Sequence, residues 1–375
     1  MRTDKVLAIE NLRLFLMALV VMHHAACTYA GPRLWYYQQI TRDVTFFTLL
    51  TSFIAVNQSF FMGLFFLIAA YFTPASIKRR GTGGYVKERL VRLGLPLIVF
   101  FFVISPSTKF MATRHLQPEA IPLWHYLVTF QGIGFGPLWF VEALLYFTLA
   151  YTLGRCLWPS FAARQRQRLE MPGDAALFVF AVLTGTLSWI VRIRFPVGTA
   201  LAPLSFQLPH FAQYILLFAA GIAAHRNQWL SAITFKRGLR WFLFAQLLIF
   251  IGAPVLLHIG GGFSGNLEPF YGGWHWQAFL YALWEQVAGM AMIMGLLGLF
   301  IHRFSHQPDR IKRLSESTYA VLILHAPILV GLSVAASGIR LDPFYKFIGI
   351  APLAVVFSFA AAVLIRKIPL VAKVV

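Results

Sequence analysis

The sequence predicts an all-α protein that crosses a membrane about ten times. Three observations carry that prediction. Apolar residues make up 59% of the chain and charged residues only 12%, against ~25% charged in soluble domains. The apolar residues gather in runs near ~20 residues long, enough to cross ~30 Å of hydrocarbon at ~1.5 Å per residue. The 32 Lys and Arg residues, against 13 Asp and Glu, give a net charge of +19, and the cations fall between the runs. A basic block would suit nucleic acid; basic connectors suit a chain oriented by positive charge inside. A mean hydropathy of +0.70 excludes disorder, and two cysteines exclude a disulfide framework. Residues 1–375 therefore read as a single transmembrane domain, with no connector long enough to fold as a soluble one.

In chain order the runs are 11–30, 45–73, 93–111, 137–158, 175–192, 209–224, 239–259, 276–301, 318–338 and 345–365. The second is long, and the fifth and sixth are short for a full crossing. The connector 107–136 has room for a short re-entrant or surface segment. Counting Lys and Arg in alternate connectors gives 23 on one side and 8 on the other, with Arg13 inside the first run. The rich side carries both termini and the 74–92 connector, so both termini are expected in the cytoplasm. That requires an even number of crossings, as ten is. The start loosely resembles a cleaved signal, but Arg13 interrupts the apolar stretch and His24 is wrong for a lipoprotein box. Uncleaved, Cys27 lies at the outer end of span one and Cys156 at the cytoplasmic end of span four, too far apart to bond.

Ionisable groups inside a membrane are costly and mark function by default. Span one holds the densest set: Asn11, Arg13, His23, His24 and Thr28. At ~100° per residue, the eleven steps from Arg13 to His24 leave them ~20° apart on one face and ~16 Å apart along the axis. His23 points ~80° away. Arg13 and His24 can thus line one cavity, with Arg13 near the cytoplasm and His24 in the outer half. Arg13 also reads as an end-of-helix residue snorkelling to the interface, His24 as a structural histidine bonded to another helix, and His23 as packing or an orienting partner. Further intramembrane polar groups are Asn57, Gln58, Glu142, Gln213, Gln246, Glu285, Gln286 and His325; Glu142 and Glu285 are the carboxylates available to Arg13 or to a histidine. No HExxH, CxxC, GxSxG or Walker loop occurs, so no metal site is expected.

Arg13, ten residues, then His24 resembles the Arg-x10-His signature on the first helix of the acyltransferase 3 family. Four more stretches are similar to that family, in its order. They are Phe65-Phe66-Leu67-Ile68-Ala69-Ala70-Tyr71-Phe72, the basic Arg89-x-x-Arg92 leading to Pro96, Pro137-Leu138-Trp139-Phe140-Val141-Glu142, and Ser317-x-Tyr319 through His325-Ala326-Pro327. One departure is Ala69-Ala70, where the family has Ser-Gly. The lack of a trailing SGNH hydrolase domain resembles the stand-alone members. The paired histidines, GPLWF and RLGLP look closest to the branch of the periplasmic glucan succinyltransferase.

The resemblance implies a ten-helix membrane O-acyltransferase of the bacterial inner membrane. It would move an acetyl or succinyl group from cytoplasmic acyl-CoA, a donor substrate rather than a bound cofactor, to a hydroxyl of an extracytoplasmic or lipid-linked carbohydrate. His24 would be the catalytic base or an acyl carrier, with Arg13 beside the donor and Glu142 or Glu285 orienting the imidazole. Lys78, Arg89 and Arg92 would hold the polyanionic head of the donor, although positive-inside topology alone also accounts for them. Trp139, His325 and His23 would shape the substrate channel. The rival from another class is a secondary transporter with an intramembrane His/Arg/Glu site; against it, no internal repeat or matched pair of broken helices is visible. A membrane sensor or scaffold is a third reading, and it leaves the polar face of span one unexplained.

Overall fold

The computed structural model describes residues 3–31, 35–116, 121–158 and 168–374. Among them every regular element is helical, apart from one isolated bridge between Leu201 and Phe206. Among the described residues nine helical segments are long and apolar enough to cross a membrane, yet they overlap all ten apolar runs. The difference lies in the segment Val44–Leu116, 73 residues long, which holds both the second and third runs.

Helix α1 (Thr3–Ala30) is followed by α2 (Val44–Arg89), whose first turn is capped by Asp43 accepting from the Phe46 N–H at 2.9 Å. Its helical hydrogen bonding runs through a break at Gly81, where φ is 73°, a conformation that glycine adopts without a Cβ penalty. The chain reverses there. In a straight helix Thr73 and Tyr85 would be ~18 Å apart, but their hydroxyls meet at 3.3 Å. The returning arm passes through a π turn at Leu90–Gly94, α3 (Leu95–Val99), a π turn at Phe100–Ile104 and α4 (Ser105–Leu116). A third π turn, Leu248–Gly252, lies further on. Each π turn ends two residues before a proline: Pro96, Pro106 and Pro254. Proline lacks an N–H and crowds the carbonyl four residues back, here Arg92, Phe102 and Phe250, at the centre of each widened turn.

The rest of the chain runs through α5 (Leu123–Val128), α6 (Trp139–Leu157), α7 (Asp174–Arg194), α8 (Phe211–Asn227), α9 (Phe235–Leu247) and α10 (Ala253–Ile259). Then follow α11 (Glu268–Tyr271), α12 (Trp276–Arg303), α13 (Asp309–Glu316), α14 (Thr318–Ala335), α15 (Pro343–Ile365) and α16 (Pro369–Ala372). The core sits around α12, whose apolar window is 83% buried, whereas the span containing α9 is 11% buried and faces lipid. Glycines let the helices touch, as expected where packing rather than the hydrophobic effect joins them. Gly289 of α12 lies against the Ser59 carbonyl of α2, and Gly221 of α8 against the Leu67 carbonyl.

Two of the eight cations counted on the poorer side, Arg192 and Lys346, prove to be internal. Arg192 is fully buried and pairs with Glu285, which His210 also approaches at 3.4 Å. Lys346 is buried and donates to Gln39 Oε1 at 3.0 Å and to the Ser337 carbonyl at 2.9 Å. The charge asymmetry between the two faces is correspondingly steeper. On the basic side, Asn11 of α1 donates to the carbonyls of Phe304 (2.8 Å) and His306 (3.0 Å) and accepts from Gln307 Nε2 (3.0 Å), pinning α1 to the connector after α12.

Candidate active site

Because α1 is one uninterrupted helix, its successive histidines point to different neighbours. His23 packs on Phe61 of α2 with ring centroids 4.8 Å apart, and its Nδ1 is buried without a hydrogen-bond partner. His24 points to α14, where its Nδ1 lies 3.0 Å from Nε2 of His325. The angular separation expected from the sequence is thus realised, with one ring serving packing and the other a polar contact.

The His325 environment fixes the proton positions. Its Nδ1 lies 2.8 Å from the Leu322 carbonyl and 3.3 Å from that of Val321. Carbonyls only accept, so Nδ1 carries the hydrogen. With the rings neutral, Nε2 of His325 is an acceptor, and His24 must donate to it from Nδ1. That leaves the lone pair of His24 at Nε2 unused. His325 is fully buried while His24 is half-buried, so a reactant can reach only the second ring. The pair repeats the logic of a base held in one tautomer by a buried neighbour, with a histidine where a carboxylate is more usual.

Trp35 closes one side. Its indole stacks on His24 at 4.5 Å and 10° and reaches toward His325 at 6.3 Å, with its Nε1 buried and unbonded. Beside it, the Tyr36 hydroxyl donates to Ser105 Oγ at 3.1 Å, which donates to the Gly132 carbonyl at 2.9 Å. Burial pushes the Tyr36 hydroxyl up to about 12, so it remains a donor. Gly136 lies against this hydroxyl with φ at 45°; any side chain there would collide with it.

Toward the basic side, Arg13 is an exposed residue of α1. Glu10, one turn earlier on α1, acts on it electrostatically, ahead of Arg92 and Arg89, and the same two arginines act on Tyr319 of α14. The Arg89 guanidinium lies 4.9 Å over the Tyr85 ring, while Glu88 bridges Arg80 at 2.9 Å and Arg92 at 3.6 Å. Arg89 Nε and the Tyr319 hydroxyl are both buried without partners. Three guanidiniums, one of them with an unused Nε donor, and the unused Tyr319 hydroxyl therefore share one region with Glu10 on the Arg13 side of the histidines, a net positive composition suited to anionic or carbonyl oxygens.

The structure does not gather every expected residue. Glu142 is buried, but it accepts from Tyr146 at 3.0 Å on its own helix, and the ring partner of His24 is His325. Glu285 is committed to Arg192. Among the described residues no hydrogen bond or ion pair joins either carboxylate to His24 or Arg13, although Glu142 Oε2 is buried without a partner. Trp139 belongs to an aromatic wall, stacked on Tyr214 at 5.5 Å, whose hydroxyl accepts from Gln58 at 2.7 Å. Lys78 does not join Arg89 and Arg92; it lines a separate cavity with Arg79, Arg155 and His225. Trp35 and Tyr36 carried no sequence signal beyond being aromatics in a connector.

The acyltransferase domain of the acyltransferase 3 family matches residues 6–367. The chain belongs to that family. It is a membrane acyltransferase, and the match embraces the histidine pair, the arginine group and all the membrane-crossing helices. No curated protein and no solved structure matches it.

Proposed function

We infer that this acyltransferase moves an acyl group, acetyl or succinyl, from acyl-CoA on the basic, cytoplasmic side to a hydroxyl of a carbohydrate presented from the opposite face of a bacterial inner membrane. The observation that carries this reading is the His24–His325 pair, which holds an accessible imidazole nitrogen ready to take a proton. The donor head rests against Arg13, Arg89 and Arg92, and its uncharged arm runs along the ~16 Å of α1 that separates Arg13 from His24. His24 Nε2 takes the proton from the acceptor hydroxyl as the oxygen attacks the thioester carbonyl carbon. The tetrahedral adduct collapses with loss of the CoA thiolate, and His24 returns the proton to sulfur. The products are an ester and free CoA, with no net change in protons. As His24 becomes charged, the stacked face of Trp35 stabilises it by a cation–π contact, ~0.5–2 kcal/mol.

Radiolabelled acetyl-CoA and succinyl-CoA, each incubated with membranes containing the protein, test the reading. Covalent label in a glycan fraction, lost in His24→Ala, is expected. Label that accumulates inside vesicles without becoming covalent would refute it and favour transport.

A further inference from the structure

A cavity of about 750 Å³ opens among the ends of three helices on the basic side. It is lined by Lys78 and Arg79 just after span two, by Arg155 near the end of α6, and by His225 near the end of α8, with Pro74 and Ile77 supplying apolar wall. None of Arg13, Arg89, Arg92 and Tyr319 borders it. Positive-inside topology explains cations in connectors, but not why residues 78 and 155, from different connectors, enclose one volume.

The charge in this cavity is uncompensated. Among the described residues Lys78 and Arg79 have no carboxylate within ion-pair distance, while the adjacent Arg80 is neutralised by Glu88 at 2.9 Å. Arg155 lies 3.4 Å from the Tyr151 hydroxyl and, among the described residues, has no carboxylate within ion-pair distance. Among the described residues no Asp or Glu lines the cavity. His225 adds a buried Nδ1 without a hydrogen-bond partner. The volume is in the ~300–1,000 Å³ range of small-ligand sites, and basic pockets between membrane helices at this depth suit phosphate head groups.

We propose that this cavity is a second anion site, binding a phosphate group through Lys78, Arg79 and Arg155, apart from the donor site around Arg13. Its apolar wall and its position at the helix ends suit the phosphate of an anionic phospholipid of the surrounding leaflet; a soluble nucleotide phosphate offers the same chemistry. The site does not depend on which acyl group is transferred, or on whether transfer occurs.

The full-length protein in lipid-free detergent micelles is titrated with phosphatidylglycerol, with phosphatidylcholine and with ADP. Native mass spectrometry counts bound molecules, and Tm is read in parallel. Wild type is expected to retain one phosphatidylglycerol at least tenfold more strongly than Lys78→Gln/Arg79→Gln/Arg155→Gln, and to show no such preference for phosphatidylcholine. Retention of ADP instead, lost in the triple variant but kept in Arg89→Ala/Arg92→Ala, supports the site with a soluble source. Lys78→Arg should bind as wild type and, like the triple variant, elute as wild type in gel filtration. Equal retention of every probe by wild type and the triple variant overturns the proposal, as does ADP binding that vanishes only in Arg89→Ala/Arg92→Ala with no lipid preference.

Discussion

Replacing His325 tests the central geometry more sharply than replacing His24. In His325→Ala the ring of His24 remains, but the N–H at Nδ1 loses its acceptor at 3.0 Å. The tautomer with its lone pair at Nε2 is then no longer enforced. Losing a buried hydrogen-bond partner costs ~1–3 kcal/mol, and ~1.4 kcal/mol is tenfold in rate, so kcat should fall roughly 5- to 150-fold. On the proposed mechanism His24→Ala removes the base itself, an expected loss of ~10²–10⁴-fold. Because the two rings act as one unit, His24→Ala/His325→Ala should be no slower than His24→Ala alone. His325→Gln presents an amide oxygen to the same N–H and should recover part of the loss, while His23→Ala should keep a substantial fraction of activity. The assay is the initial rate of label transfer from acyl-CoA at matched membrane abundance. An unchanged rate in His325→Ala, or losses that multiply in the double variant, would refute the role of His325 in holding the His24 tautomer.

Three further outcomes are expected. Arg89→Ala/Arg92→Ala should raise KM for acyl-CoA with kcat little changed; an unchanged KM in correctly inserted protein leaves these residues to topology. Reporter fusions at residues 80, 232 and 310 should read cytoplasmic and those at 38, 265 and 340 extracytoplasmic, and a consistent inversion would remove the donor-side assignment. Breaking the sealed Arg192–Glu285 pair with Arg192→Met should cost ~3–5 kcal/mol of stability, whereas Arg192→Met/Glu285→Met should recover much of it; equal Tm values in wild type and the single variant would contradict the burial.

The fold was largely legible because a lipid environment constrains sequence severely: every span must be apolar for ~20 residues, and connectors must carry the orienting charge. The join of the second and third runs was not, since it depends on Gly81 adopting a positive φ inside otherwise continuous helical bonding. At the site, helical periodicity separated His23 from His24 and placed Arg13 with His24, because both relations are local to one helix. The partner of His24 lies 301 positions away, and no period links it to α1. Glu142 was the natural choice by charge alone, but its hydroxyl partner was one turn away on the same helix, a nearer and less costly solution than crossing to α1. Arg192 misled for a related reason: a cation at the end of an apolar run looks like a connector charge until its buried counter-ion is known.

Asn11 gives α1 a fixed height. A helix is a stiff rod whose rise and rotation are coupled, so a slip of one residue at its foot moves every residue above by ~1.5 Å and turns it by ~100°. That turn would swing His24 away from His325 and bring a neighbour to face α14 in its place. The three hydrogen bonds of Asn11 to the 304–307 connector act as a vernier stop for an imidazole ~20 Å away. On the proposed mechanism, the register of the reacting imidazole is thus held from the opposite membrane surface, by an amide that touches neither reactant.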